Sequence, residues 1–259
     1  MGEEKAAAGS VRAAFEDGGK IAVITVANER RANAIDAAMI DELAAAIDES
    51  SRARAVILTG AGERHFSSGG DIASWGAMEP AAYGRDWIEH GAKVFAQLGE
   101  LPGFVIAAVN GTCFGGGLEL ALHADARIAA EHARFRLPET SLGMIPGWRG
   151  GPLLAEAAGQ QAALRMALAG EELDADAALR AGVVSEVLPA AGLLARAREL
   201  AAAAAARSPV ANALAKRLLR GRLDVKAHGE LGAEARASAD CAEGLAAFKD
   251  KRAPNFTDD

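Results

Sequence analysis

Short apolar runs separated by glycine-rich loops set the pattern of this chain. Val11–Glu16 and Ile21–Val26 flank Asp17-Gly18-Gly19, a turn composition, and are expected as strands. Asp36 stands where a helix N-cap is needed ahead of Ala37–Glu49, in which Ile40, Leu43 and Ile47 recur on one helical face. AVILT (Ala55–Thr59), FVIAAV (Phe104–Val109) and ARIAA around Arg127–Ala130 do not alternate cleanly with polar residues. They are expected as short strands buried on both faces, with Ala133–Phe135 as a further short strand. Helices are expected over Ala81–Leu98 and Leu118–His123, and a last strand over Val183–Leu188.

Beyond Pro189–Ala190 the pattern is helical only. The expected segments are Ala191–Arg207, Pro209–Arg220 (Ser208 as cap, Pro209 at the first helical position), Asp224–Ala239 and Ala242–Arg252. The chain therefore reads as α/β, with a compositional boundary near residue 190. Residues 1–10 are expected to be disordered.

Composition narrows the function classes. The 259 residues suffice for a sizeable core. A net charge of −7 argues against nucleic-acid binding, which asks for a basic surface. Two cysteines cannot build a disulfide framework. The opening MGEEKAAAGS is neither a secretory nor an Arg-rich transit sequence, and no stretch approaches the roughly 20 apolar residues of a membrane helix. The expectation is a cytoplasmic protein with no membrane contact.

Most catalytic motifs are missing. Gly115-Gly116-Gly117-Leu118-Glu119-Leu120 fails the dinucleotide fingerprint at its last position, and the five histidines have no metal-ligand spacing. Gly111-Thr112-Cys113-Phe114-Gly115 has the form of a hydrolase nucleophile elbow, with His228 downstream as that chain order asks. The competing reading of Cys113 as a small buried hydrophobe is preferred.

Two loops stand out, each following an apolar strand: His65–Asp71 (HFSSGGD) and Asn110–Gly117 (NGTCFGGG). Glycine lets main-chain amides approach a ligand closely, and the second loop runs into a helix, whose first N–H groups lack internal acceptors. One amide from each loop can form an oxyanion hole for a thioester carbonyl. Glu119 lies within a turn of that hole, and Glu139 follows Pro138 in an apolar loop. Either glutamate alone has a bland explanation; the combination is informative.

These segments resemble the enoyl-CoA hydratase/isomerase family, also called the crotonase family. The matching stretches are AVILTGAGERHFSSGGDI, VIAAVNGTCFGGGLELALHADARIA, FRLPETSLGMIPG, LRAGVVSEVL and EGLAAFKDKRAPNF, within roughly Ala22–Asp259. The resemblance implies a ββα-repeat superhelical core over residues 11–190 carrying the acyl-CoA site. It also implies a C-terminal helical trimerisation region over 191–259, and a homotrimer or homohexamer. It makes Gly70 and Gly116 the oxyanion-hole donors, and Glu119 and Glu139 the catalytic pair for hydration. Ser68, Gly69, Gly70, Asp71, Ile72 and Ala73 would follow the CoA, Arg30 (with Arg31 as the alternative) would meet its phosphates, and Phe248 and Lys251 would reach CoA from a neighbouring copy. No metal or other cofactor is implied, since CoA is part of the substrate.

The sequence departs from the family pattern after Ile145-Pro146-Gly147, where Trp148-Arg149-Gly150-Gly151-Pro152 stands in place of Ala-Gly-Gly-Thr-Gln. Arg149 is a candidate partner for a carboxylate on the acyl group, against a solvated arginine beside a core tryptophan. Trp75, Met78, Tyr83 and Trp87 are candidate pocket residues. The departure keeps an enoyl-CoA isomerase and a specialised acyl-CoA dehydratase or decarboxylase in view. A non-catalytic acyl-CoA or RNA binder fits less well.

Overall fold

The computed structural model describes residues 8–221 and 223–257. In chain order the elements are β1 (Ser10–Glu16), β2 (Ile21–Ala27), α1 (Ala37–Glu49), β3 (Ala55–Gly60), β4 (His65–Ser67), α2 (Ile72–Trp75), α3 (Pro80–Ala82), α4 (His90–Glu100), β5 (Phe104–Val109), β6 (Thr112–Phe114), α5 (Gly116–Leu122), β7 (Ala126–Ala130) and β8 (Arg134–Arg136). They continue with α6 (Gly150–Ala158), α7 (Gln160–Leu168), β9 (Leu173–Asp174), α8 (Ala175–Ala181), β10 (Glu186–Leu188), α9 (Ala190–Ala205), α10 (Pro209–Arg220), α11 (Val225–Ala237) and α12 (Ala239–Asp250).

Two sheets organise the α/β core. The larger has the order β1-β2-β3-β5-β7-β10, parallel apart from the β1–β2 hairpin. The smaller has the order β4-β6-β8-β9, with β9 antiparallel. Three times a strand of the large sheet is followed by a strand of the small sheet and then by helix: β3-β4, β5-β6 and β7-β8. This repetition stacks the loops after β4, β6 and β8 at one edge.

The uninterrupted apolar runs have a simple cause. Side chains alternate across a strand, and here both faces are apolar layers. Val56, Leu58, Val105, Ala107 and Val109 enter the main core with Phe66, Phe95 and Phe135. Ala55, Ile57, Ile106, Ala108 and Ile128 face the other way, onto α9. That helix presents Leu193, Ala197, Ala201 and Ala205, a stripe at intervals of four whose small side chains let the helix lie close to the sheet.

The helices past α9 are joined to the core by polar contacts. Asp125, just before β7, receives Lys216 and Arg220 of α10, each at 2.7 Å. Ser208 caps α10 by accepting from the Ala211 amide, and its hydroxyl donates to Asp240 at 2.5 Å.

Several boundaries differ from expectation. Ser10 opens β1 and is not disordered, because it pairs with Ala27; residues 1–7 lie outside the described residues. The helix expected over Ala81–Leu98 is α3, a π-helical stretch over Tyr83–Glu89, and α4. The wider π turn redirects the side chains of Tyr83, Trp87 and Ile88. The strand expected from Val183 starts at Glu186, since Val183 and Val184 pack into the main core. β4 and β6 sit inside stretches that read as loops, being only three residues each.

Candidate active site

Two buried asparagines fix the loops. Asn33, fully buried, donates to the carbonyls of Ala61 and His65 at 2.9 and 2.7 Å. Asn110 accepts from the Gly60 amide at 3.1 Å and donates to the carbonyls of Gly60 and Gly62 at 3.0 and 2.8 Å. Each satisfies main-chain groups where the chain leaves a sheet, so the loops keep one conformation. Neither role is evident in sequence: Asn110-Gly111 reads only as a turn, and Asn33, followed by Ala34, carries no local signal.

Gly70 is oriented by its neighbours. The Ile35 amide donates to the Gly69 carbonyl at 2.8 Å, and the Asp71 amide donates to the Ile35 carbonyl at 2.7 Å. In extended backbone this turns the Gly70 N–H to the opposite side. Gly116 opens α5, so its N–H has no acceptor within the helix. The two loops touch: a methyl group on Gly69, whose φ is +99°, would lie 2.9 Å from the Gly116 nitrogen. Gly70 and Gly116 line one cavity of about 150 Å³, together with Glu119 and Glu139.

The two glutamates have different surroundings. Glu119 on α5 is 2% exposed, and its Oε1 accepts from the amides of Trp148 and Gly150, both at 2.8 Å. Arg149 lies between those amides in the left-handed region (φ +69°), which lets both N–H groups converge on one oxygen. Burial lifts the Glu119 carboxyl from 4.5 to about 7; the Gly150 and Trp148 amides pull against it, and the nearby Glu139 adds to the rise. Glu139, at the start of a 3-10 turn over Glu139–Leu142, is half-buried and also raised, chiefly by burial. Its Oε2 is buried and has no hydrogen-bond partner among the described residues. Tyr83 faces both carboxyls, and burial followed by their charge raises its hydroxyl.

Trp148 and His123 complete the surroundings. Trp148 is 3% exposed and stacks obliquely on Phe95 and Trp87, with centroids 4.8 and 5.2 Å apart. His123 is buried, and burial lowers it to about 4, so it is neutral. Its Nε2 donates to the Trp148 carbonyl at 3.1 Å and braces the segment that clamps Glu119. The sequence shows only that His123 lacks metal-ligand spacing; no local spacing marks this contact.

The other sequence candidates separate. Ser68, Gly69, Ile72, Trp75, Tyr83 and Trp87 line the cavity, whereas Met78 packs beside the main core. Asp71 caps α2 by accepting from the Ala73 amide and is paired with Arg31. Arg30 lies on a different surface depression, beside β1 and β2. Arg149 is exposed and lines a separate cavity with Asp125, Arg127 and Arg220, so it does not meet an acyl group in the glutamate cavity. Phe248 and Lys251, at the end of α12, do not line that cavity either. Cys113 is fully buried in β6, and burial pushes its thiol far up, which removes the nucleophile-elbow alternative. Among the described residues no cluster of His, Cys, Asp or Glu has the form of a metal site, and no helix is long and apolar enough to cross a membrane.

A family model described as enoyl-CoA hydratase/isomerase matches residues 16–259. The chain belongs to the enoyl-CoA hydratase/isomerase family. It is 36% identical over 247 residues to a short-chain-enoyl-CoA hydratase of Clostridium acetobutylicum, covering 92% of this chain and 94% of that protein. It is 37% identical over 230 residues to 2,3-dehydroadipyl-CoA hydratase of Escherichia coli, covering 86% and 88%. The crystal structure of an enoyl-CoA hydratase from Bacillus anthracis matches with a TM-score of 0.90 at 31% identity, covering 96% and 99%. The crotonase fold and the family membership that the loop motifs implied are thereby shown.

The raised Glu119 carboxyl has a consequence for this family member's stability. Folded Glu119 holds its proton more tightly than the unfolded chain does. The stability this contributes is complete below pH 4.5 and is lost as pH rises through about 7, in total roughly 2–4 kcal/mol. Glu119→Gln keeps the amide contacts and removes the titration. Thermal unfolding should therefore show the variant level with the wild type near pH 4 and more stable at pH 8. A wild type as stable as the variant at pH 8 contradicts this.

Proposed function

We propose that this enoyl-CoA hydratase/isomerase family member adds water across the 2,3 double bond of an enoyl-CoA thioester, with Glu119 and Glu139 as the acid–base pair. One observation carries the reading: a buried and a half-buried carboxyl, unlike in their hydrogen bonding, share one cavity with the Gly70 and Gly116 amides. The amides accommodate the thioester oxygen and stabilise the charge it gains as the double bond polarises. Glu119, in which the Trp148 and Gly150 N–H groups offset part of the burial that favours its protonated form, acts in its ionised state and takes a proton from water as its oxygen bonds to the β-carbon. The π electrons move through the enolate, and Glu139, whose Oε2 lacks a donor to stabilise its anion, delivers a proton to the α-carbon. Proton exchange with water then restores both groups. The step needs no resident cofactor, and CoA enters with the substrate.

The remainder of CoA follows Ser68–Ala73; Arg31, paired with Asp71 in that stretch, is better placed for its phosphates than Arg30, which lies on the β1–β2 depression. Phe248, 86% exposed at the end of α12, suits a role at a neighbouring copy in a homotrimer or a pair of trimers, together with Lys251. An isomerase needs one carboxyl to shuttle a proton; the second, unpartnered carboxyl in the same cavity favours hydration. The test is the loss of conjugated-thioester absorbance when wild-type protein meets crotonyl-CoA. Hydration is the expected result. Binding of the thioester without hydration would leave the scaffold reading standing and overturn the reaction.

A further inference from the structure

We infer that the Trp148 indole is the wall that sets acyl-chain length, admitting a neutral acyl group of about four carbons; this rests on the acyl-CoA reading above. The ring stands where the acyl chain must begin. A methyl group on Gly116 would lie 2.3 Å from the ring's Cζ3, and one on Gly70 would lie 3.3 Å from its Cη2. The ring therefore covers the α-carbons of both residues whose amides face the thioester oxygen.

The wall is fixed. Trp148 Nε1 donates to the Trp87 carbonyl at 3.1 Å, the Trp148 amide donates to Glu119, and its carbonyl accepts from His123. Behind the ring lies Phe95, fully buried in the main core. To one side Trp87 closes on Gly70, where a methyl group would lie 2.8 Å from its Cζ2. Ile88 closes on Gly147, with its Cδ1 2.3 Å from the equivalent position. An indole tied at its ring nitrogen and at both main-chain ends does not swing aside for a longer chain.

The space that remains is small. The cavity measures about 150 Å³, a volume that in an apolar protein cavity holds benzene, about six heavy atoms. A four-carbon enoyl thioester has that size counted from the sulfur. The lining contains no Lys, Arg or His and holds Glu119 and Glu139, so a carboxylate at the chain end would be buried without a cationic partner and beside like charge.

The experiment compares trans-2-enoyl-CoAs of four, six and eight carbons, and a four-carbon enoyl-CoA with a terminal carboxylate, in the wild type, Trp148→Leu and Trp148→Ala. Wild-type kcat/KM is expected to fall roughly 10–200-fold as the chain outgrows the cavity, and by at least as much for the carboxylated substrate. Both variants should raise the eight-to-four-carbon ratio about tenfold or more. The ratio is the readout because it cancels a general loss of activity, and circular dichroism establishes which variants fold. Calorimetric titration with butyryl-CoA and octanoyl-CoA measures the same discrimination without any reaction. Thioester discrimination that depends on Trp148 in a protein that hydrates nothing supports the wall and removes the hydratase reading. Equal wild-type use of four and eight carbons overturns the wall and leaves the hydratase reading intact; the chain then passes over the exposed rim at Leu142 and Ile145. A ratio unmoved in the folded variants, or efficient use of the carboxylated substrate, also overturns it.

Discussion

Glu119→Gln should lower kcat for crotonyl-CoA hydration by about 10²–10⁴-fold while KM changes little. The substitution is close to isosteric. The carboxamide oxygen it introduces can accept from the Trp148 and Gly150 amides just as Glu119 Oε1 does, at 2.8 Å in each case. What disappears is the basic oxygen that the proposed mechanism uses to take a proton from water. Glu139→Gln should show a loss of similar order for a different reason, since the amide cannot give its proton to carbon. The two single losses should not multiply in the double variant, because in the proposed mechanism both groups act on one addition of water. Activity within tenfold of wild type in a folded Glu119→Gln protein would remove Glu119 from the mechanism.

Gly116→Ala should lower kcat/KM by about 10²–10³-fold, the typical cost of losing one oxyanion-hole donor, and destabilise the fold by about 1–3 kcal/mol, the typical cost of overpacking. The added methyl group would meet Trp148 Cζ3 and Cε3 at 2.3 and 2.5 Å. The ring has no room to retreat, with Phe95 behind it and its Nε1 tied to Trp87. The start of α5 must move instead, and with it the Gly116 amide proposed to face the thioester. Pairing Gly116→Ala with Trp148→Leu gives the ring's place to a smaller side chain and should restore much of the lost stability. Denaturant unfolding of the two single variants and the double measures this. Strict additivity would show that the clash is not with Trp148.

Local chemistry made a good part of this molecule readable. Asp36 accepts from the Met39 amide at 2.9 Å and starts α1 where its side chain predicted. Ser208 and Pro209 start α10 in the same way. The apolar runs became central strands because nothing else can bury both faces of a strand. Gly70, Gly116, Glu119 and Glu139 were identifiable as a set through the resemblance of their segments to the enoyl-CoA hydratase/isomerase family, and the fold does bring them to one cavity. What stayed hidden depends on contacts between distant residues. The small sheet is built from pairings such as Cys113 with Phe135, which leave no mark in strands of three residues. The π-helical turn at Tyr83–Glu89 has an ordinary helical composition. Arg149 is exposed beside a buried Trp148, the preferred of its two readings and not the acyl-carboxylate ligand; the left-handed backbone that turns it to another face is not encoded by an arginine.

The clamp on Glu119 is made by main-chain amides, not by side chains. Every amino acid except proline carries the same N–H, so positions 148 and 150 hold the carboxylate without regard to which residue occupies position 148. The hold on Glu119 and the wall of the cavity are thus written in separate alphabets, main chain and side chain, on one short stretch of sequence. If Trp148 is the proposed wall, a change there would retune what enters while the clamp on Glu119 stays in place, and substrate range and reaction could diversify independently.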